Sequence, residues 1–204
     1  MKREDVMELH YIAPLENLAS ILDIGILSHY KAKFIPHVSI ALPSVQAHRA
    51  RKPVPGGTNL HQYVNLYFNA FNPMLSKRRD DRERIAVLAI HPEVLDLPGV
   101  FITDGNAASE ATVFSSPDEQ GLSLLSYREL HSTYWTSKFR NEEEQEEDGR
   151  RRCAEVLVPD HIHRSFINRL YCANEGVKAR IITLGCTLEI VEDAEMFFTP
   201  KEKP

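Results

Sequence analysis

Short apolar runs of strand-like composition recur along the chain and alternate with segments in which apolar residues follow helical spacing. Strands are predicted at residues 8–12, 63–69, 85–90, 100–102, 154–158, 170–172 and 187–191. Helices are predicted over 14–24 ahead of Gly25, over 122–131, from Asp160 as an N-cap, and over 174–181. Because the short strands and helices interleave without a regular βαβ order, the pattern predicts an α+β fold.

Proline, glycine and charged residues mark the segments between these elements. Residues 36–59 are rich in proline and glycine and predict a loop with one helical turn near 43–50. The very polar residues 137–152 predict a mobile loop, and residues 199–204 predict a frayed tail. We expect a single domain over residues 1–204.

Several classes of protein are disfavoured by the same pattern. No glycine-rich phosphate loop follows a predicted strand, which argues against Rossmann and P-loop nucleotide sites. No apolar run approaches the roughly 20 residues of a membrane helix, and the charged N-terminus does not resemble a signal peptide. The three cysteines form no CxxC pair, so we expect buried free thiols and no metal site. These features indicate a cytoplasmic protein without a membrane partner.

The net charge of −5 is concentrated in one segment. Residues 142–148 contain six acids, and the rest of the chain carries a net charge of +1. Basic clusters stand at 49–52, 77–84 and 150–152. A nucleic-acid partner is therefore compatible with the overall acidity, because the distribution of charge matters more than its sum.

Glu155 interrupts an otherwise apolar predicted strand. Side chains alternate along a strand, so Glu155 shares a face with Leu157. An acid beside buried positions is costly unless it has partners or a chemical task. The pattern alone leaves two interpretations, a functional carboxylate and a residue on a solvated strand face.

Several segments in a fixed order resemble the DarT family of DNA ADP-ribosyltransferases. They are residues 10–12, 15–25, 49–57, 60–68, 72–75, 104–108, 134–135 and 151–158. The resemblance runs from about residue 9 to 182. It implies a compact ADP-ribosyltransferase fold, with two small antiparallel sheets around a NAD+ cleft and peripheral short helices. It also implies transfer of ADP-ribose from NAD+ to thymine or guanine in single-stranded DNA, with thymine preferred. The family further implies a toxin whose partner antitoxin, of the DarG type, carries a macrodomain that removes the mark.

Such a reaction breaks the bond between nicotinamide and ribose C1″, where positive charge develops. A fixed carboxylate would stabilise this charge, and we assign that role to Glu155. A guanidinium would stabilise the deprotonated ring nitrogen of the base; Arg51 is the candidate and Arg49 the reserve. Cys153 stands where arginine-modifying transferases have a second acid, which disfavours that acceptor.

The protein must bind NAD+ through contacts to its amide, ribose and phosphate groups. The candidates are His10, Ile12, Asn17, Ser20, Arg49, His61 and Tyr67. The resemblance places the strand of His10 and Ile12 beside nicotinamide and ribose. His10 and Tyr67 are otherwise typical core residues, and Asn17 and Ser20 are equally typical of a helix surface.

The target base must be single-stranded or extruded from the stack. Proteins that recognise single strands place aromatic side chains, which stack on bases, beside basic groups, which contact phosphates. The DNA-binding candidates are Arg49, Lys52, Met74, Tyr134, Trp135, Arg150, Arg151 and Arg152. The resemblance makes residues 137–152 the substrate-recognition loop, which should receive DNA. The acidic run at 142–148 within it departs from that expectation. Two alternatives stay open: a transferase of the same fold acting on RNA or protein, and a non-catalytic single-strand-binding module. We expect a monomer.

Overall fold

The computed structural model describes residues 1–132 and 141–200. Within them the strands are β1 (Leu9–Pro14), β2 (Ile26–Leu27), β3 (Tyr63–Tyr67), β4 (Ile85–Ile90), β5 (Phe101–Thr103), β6 (Phe114–Ser115), β7 (Glu155–Pro159), β8 (His161–Ile162), β9 (Ile167–Cys172) and β10 (Glu189–Glu192). The helices are α1 (Leu18–Ile24), α2 (His29–Ala32), α3 (Pro43–Arg49), α4 (Pro73–Ser76), α5 (Glu119–Ser123), α6 (Tyr127–His131), α7 (Glu142–Arg152) and α8 (Glu175–Thr183). Short 3-10 turns precede or follow several of them.

Eight strands form one sheet in the order β10-β9-β4-β1-β3-β7-β5-β6, and β2 pairs with β8 in a second, two-stranded sheet. Neighbouring strands are antiparallel except for the parallel pair β9 and β10. The predicted α+β class is confirmed. The strands form one large and one very small sheet. The large sheet is continuous because β1 pairs with β3 on one side and with β4 on the other.

Alternation along the central strands separates two faces of the large sheet. Leu66 and Val156 enter the main hydrophobic core, whereas Tyr67 and Glu155 lie on the other face and line a cavity. The register pairs Tyr67 with His10 on one side and with Glu155 on the other, so these three residues form a row across β1, β3 and β7. All six residues of β4 are buried, as expected for a strand covered on both faces.

The predicted end of the first helix is confirmed. The amide of Gly25 donates to the carbonyl of Ile21 at 2.8 Å, and Gly25 adopts φ +88°. A Cβ atom at this position would lie 2.2 Å from the carbonyl oxygen of Ile162, so only glycine allows β2 and β8 to pair here. The predicted helix over 122–131 is divided into α5 and α6, because Ser126 caps α6 by accepting from the amide of Glu129.

The prediction of a polar loop over 137–152 is wrong for residues 142–152, which form α7. Asn141 and Glu144 make a capping box, acids occupy the first turn, and arginines occupy the last. Glu147 adds ion pairs to Arg150 and Arg151 at i+3 and i+4. Capping and dipole complementarity thus produce a helix in a segment with almost no apolar residues. Residues 137–140 lie outside the described ranges, as do residues 201–204 of the predicted tail.

The prediction that Asp160 starts a helix is also wrong. Asp160 has φ +60° in the left-handed region, which Asp tolerates better than most residues. Its amide donates to Gln62 and its carbonyl accepts from Ser28. The chain therefore turns at Asp160 into β8, and a 3-10 turn follows, with His163 as its N-cap.

None of the helices in the described ranges has the length and apolar content of a membrane span.

Candidate active site

A cavity of about 730 Å³ lies against the face of the sheet that carries Tyr67 and Glu155. Its walls come from α1, α2 and α3, from the loop 35–42, and from α4 and α7. Its volume falls within the range of about 300–1,000 Å³ typical of small-molecule sites. The lining mixes apolar and polar side chains.

Glu155 is 1% exposed and is held by two donors. Nη1 of Arg49 lies 3.1 Å from Oε1 and 3.0 Å from Oε2, and the amide of Ala107 donates to Oε1 at 3.0 Å. Arg49 is itself buried at the C-terminal end of α3. The charge of the carboxylate is therefore compensated, and its position is fixed from two directions.

The turn after β5 supplies the Ala107 amide, and α7 holds this turn in place. Arg150 pairs with Asp104 at 3.0 Å and with Glu147 at 2.7 Å, and its carbonyl accepts from the amide of Asn106. Hydrogen bonds from Arg150 and Arg151, together with the positive charges of these two side chains, lower the pKa of Glu147 to about 2. Arg150, predicted as a phosphate contact, is thus engaged in positioning the partner of Glu155.

Tyr67 lies directly opposite Glu155 on the neighbouring strand and lines the cavity. Enclosure by protein, together with the nearby carboxylate, raises its pKa well above the ordinary value. His10 completes the row but is not among the lining residues. Its Nε2 lies 3.1 Å from Oε1 of Glu8, which also accepts from the hydroxyl of Tyr171 at 2.7 Å.

Two histidines, one of which sequence reasoning missed, meet on another wall of the cavity. The rings of His29 and His61 are 4.2 Å apart. Burial, with the nearby His29 and Arg49, lowers the pKa of His61 to about 4, so it is neutral at pH 7. Nε2 of His61 and Oε1 of Gln46 are buried without a hydrogen-bond partner among the described residues. Both are available to polar groups of a ligand.

The predicted binding residues on α1 and just before it differ in their surroundings. The side-chain Nδ2 of Asn17 donates to the carbonyl of Val38 at 2.8 Å, and its Oδ1 accepts from the backbone amide of Val38 at 2.9 Å. Asn17 therefore fastens the loop 35–42 over the cavity. Ser20 and Ile12 also line the cavity.

The structure separates the remaining candidates. Arg51 is exposed and is not among the lining residues, whereas Arg49 is. Lys52 donates to the carbonyl of Ser109 and lies 5.5 Å from the centre of the Phe114 ring. Met74 lines the cavity.

The other two arginines of the basic triplet also have partners within the protein. Arg151 pairs with Glu129 at 3.3 Å and with Glu147 at 2.8 Å. Arg152 is buried and donates to the carbonyl of Ser132. Tyr134 and Trp135 lie outside the described residues.

The arrangement suits a reaction that develops positive charge on a bound ligand. A fixed, desolvated carboxylate stabilises a neighbouring cation without reorganising. Cys153, two residues before Glu155, is a buried thiol whose pKa burial raises to about 12, so it carries no negative charge at neutral pH. Over residues 1–132 and 141–200, no group of three or more His, Cys, Asp or Glu side chains could hold a metal ion.

Comparison with known proteins gives consistent matches. The model of the family described as ssDNA thymidine ADP-ribosyltransferase, DarT, matches residues 10–199. A DNA ADP-ribosyl transferase–DNA ADP-ribosyl glycohydrolase fusion protein of Thermosipho africanus is 27% identical over 96% of this chain and 50% of its own length. This chain thus spans half of that relative. A DNA ADP-ribosyl transferase of Thermus aquaticus is 28% identical over 85% of this chain and 78% of its own length.

Solved structures share the fold. Thermosipho africanus DarTG in complex with ADP-ribose superposes with a TM-score of 0.79 at 26% identity, covering 95% of this chain and 52% of that one. Thermus sp. 2.9 DarT in complex with ADP-ribosylated ssDNA superposes with a TM-score of 0.82 at 20% identity, covering 97% and 99%.

Proposed function

The chain belongs to the DarT family of single-stranded DNA thymidine ADP-ribosyltransferases, and from this membership we propose that it transfers ADP-ribose from NAD+ to a base of single-stranded DNA. Thymine is the proposed acceptor and guanine the alternative. The observation that supports the proposal most strongly is the buried Glu155, held by Arg49 and Ala107 on the wall of a cavity of dinucleotide size.

In the proposed reaction, the bond between ribose C1″ and the nicotinamide nitrogen breaks, and its electron pair stays on that nitrogen. Nicotinamide, cationic in NAD+, therefore leaves as a neutral molecule. Glu155 stabilises the positive charge left on the ribose. The ring nitrogen of the base forms the new bond to C1″, and its proton passes to solvent.

Arg49 takes the place that the sequence pattern offered first to Arg51. Its guanidinium contacts both oxygens of Glu155 and lines the cavity, which supports this assignment because its charge is fixed beside the carboxylate. A fixed cation there would favour the deprotonated ring of the base. Gln46 and His61 would bind polar groups of NAD+ through their unpartnered atoms.

We further propose that the chain is the toxin of a toxin–antitoxin pair, with a macrodomain antitoxin as its partner. The Thermosipho africanus relative supports this, because it unites a DNA ADP-ribosyl transferase with a DNA ADP-ribosyl glycohydrolase in one chain. A glycohydrolase acting on the same mark would remove it by hydrolysis and restore the unmodified base.

Mass spectrometry of oligonucleotides tests the function. Incubation with NAD+ and a random single-stranded DNA pool should add one ADP-ribose per modified strand, with the mark on thymine. Glu155→Gln, which keeps the side-chain size and an acceptor for Arg49, should abolish the adduct. Modification of RNA or protein alone, or a fully active Glu155→Gln, would refute the proposal.

A further inference from the structure

The walls of the cavity carry opposite charges on two neighbouring elements. Lys77 and Arg78, which follow α4, line it on one side. Glu143, Glu146 and Glu147 of α7 line it on the other. No ion pair joins these two sets within the described parts of the chain; Arg78 instead lies 3.8 Å from Asp81.

The two elements lie side by side. A Cβ atom at Gly149 of α7 would be only 3.7 Å from Cγ of Pro73, the first residue of α4. Met74 on α4 and Cys153 just after α7 both line the cavity, and Cys153 is two residues from Glu155. The charged residues therefore border the end of the cavity that adjoins the catalytic strand.

The arginines first expected to bind phosphate are already occupied. Arg150 is paired with Asp104 and Glu147, and Arg151 with Glu129 and Glu147. By contrast, the ammonium of Lys77 is exposed and makes no hydrogen bond or ion pair with any residue that the structure describes. A phosphate reaching this side would meet a cation without displacing an internal partner.

We propose that the backbone phosphates of single-stranded DNA pass over Lys77 and Arg78, and that the acidic face of α7 repels the backbone from the opposite side. This inference rests on the proposed function and adds the path of the strand to it. Like charges at a low-dielectric cleft disfavour a wrong approach, while the opposite charges favour the right one. The acidic run then selects the side on which DNA enters.

The test measures binding of a fluorescently labelled single-stranded oligonucleotide by anisotropy, without NAD+, over a series of salt concentrations. Each lost phosphate contact should reduce the slope of log Kd against log salt by about 0.7, which is about fivefold weaker binding at 0.1 M salt. We expect this change for Lys77→Ala and for Arg78→Ala. The double variant Glu143→Gln, Glu146→Gln should bind more tightly than the wild type.

Arg82→Ala is the matched control, because it removes the same charge from the same segment but Arg82 is not a lining residue. It should keep the wild-type slope. Equal weakening by Arg82→Ala would show an effect of net charge alone and would overturn the proposal. A raised KM for NAD+ in Lys77→Ala with an unchanged DNA slope would overturn it too, by assigning the site to the dinucleotide phosphates.

The two proposals fail in different ways. If the wild type modifies DNA but Lys77→Ala and Arg78→Ala bind like the wild type, only the path of the strand is wrong. If the wild type neither binds nor modifies single-stranded DNA, the proposed function fails and this inference with it. Thermal unfolding of each variant verifies that it is folded.

Discussion

Glu155 and Arg49 stabilise each other in a place where neither would be tolerated alone. Their side chains are 2% and 7% exposed. Breaking a buried ion pair by removing one partner leaves an uncompensated charge, which costs more than the pair contributes. The same contact that fixes the position of the carboxylate thus also makes it compatible with the fold.

Arg49→Ala should lower the free energy of unfolding by about 3 kcal/mol, because Glu155 loses its counter-ion in a buried position. Arg51→Ala, which removes an exposed arginine two residues away, should stay within about 0.5 kcal/mol of the wild type. Urea unfolding measures both. Equal stabilities of the two variants would contradict the role given to Arg49, and their transfer rates decide whether Arg51 acts in catalysis.

His61 makes stability depend on pH. Its folded pKa of about 4 lies below the ordinary value of 6.5, so the unfolded chain binds the proton more readily. The contribution of neutral His61 is complete above pH 6.5 and is lost as pH falls toward 4. His61→Gln should therefore show a smaller loss of stability across this window in urea unfolding at several pH values. Parallel curves for the two proteins would refute it.

Helix α7 is the element whose role differs most from the predicted one. Its sequence indicated a polar loop that receives DNA, because it lacks the apolar periodicity from which helices are recognised. Its capping box and internal ion pairs nevertheless form a helix, and Arg150 connects that helix to the turn carrying Ala107. The element therefore supports the carboxylate of Glu155.

Arg150→Ala should reduce kcat for the proposed transfer by about tenfold or more, because the Ala107 amide loses its support. The salt dependence of DNA binding should not change. Arg151→Ala is the control, since Arg151 pairs with Glu129 and Glu147 but not with the turn. If Arg150→Ala instead reduces the salt slope and leaves kcat unchanged, Arg150 contacts phosphate, as the sequence first predicted, and does not support the turn.

At the scale of the whole molecule, local pattern predicted the main strands but made no prediction of their order in the sheet. The run 85–90 is apolar at every position, and the acid at 155 stands out in an apolar strand, so both are visible in the sequence. Strand order depends on non-local pairing, which local periodicity does not encode. The choice between Arg49 and Arg51 depends on which residue faces inward at the end of α3. No sequence motif marks Gln46 or His29, which reach the site only because the folded chain brings α2 and α3 to the cavity wall.

The loop 35–42, which Asn17 holds through its hydrogen bonds to Val38, should be less rigid than the sheet on the other side of the cavity. β3 and β7 lie inside the sheet with partners on both sides, so their amides should exchange with deuterium slowly. Asn17, just before α1, holds the loop 35–42 by two hydrogen bonds, and Asn17→Ala should speed exchange in the loop while leaving the two strands unchanged. A ligand could then enter the cavity by local opening of this loop, while the sheet that carries Tyr67 and Glu155 keeps its structure.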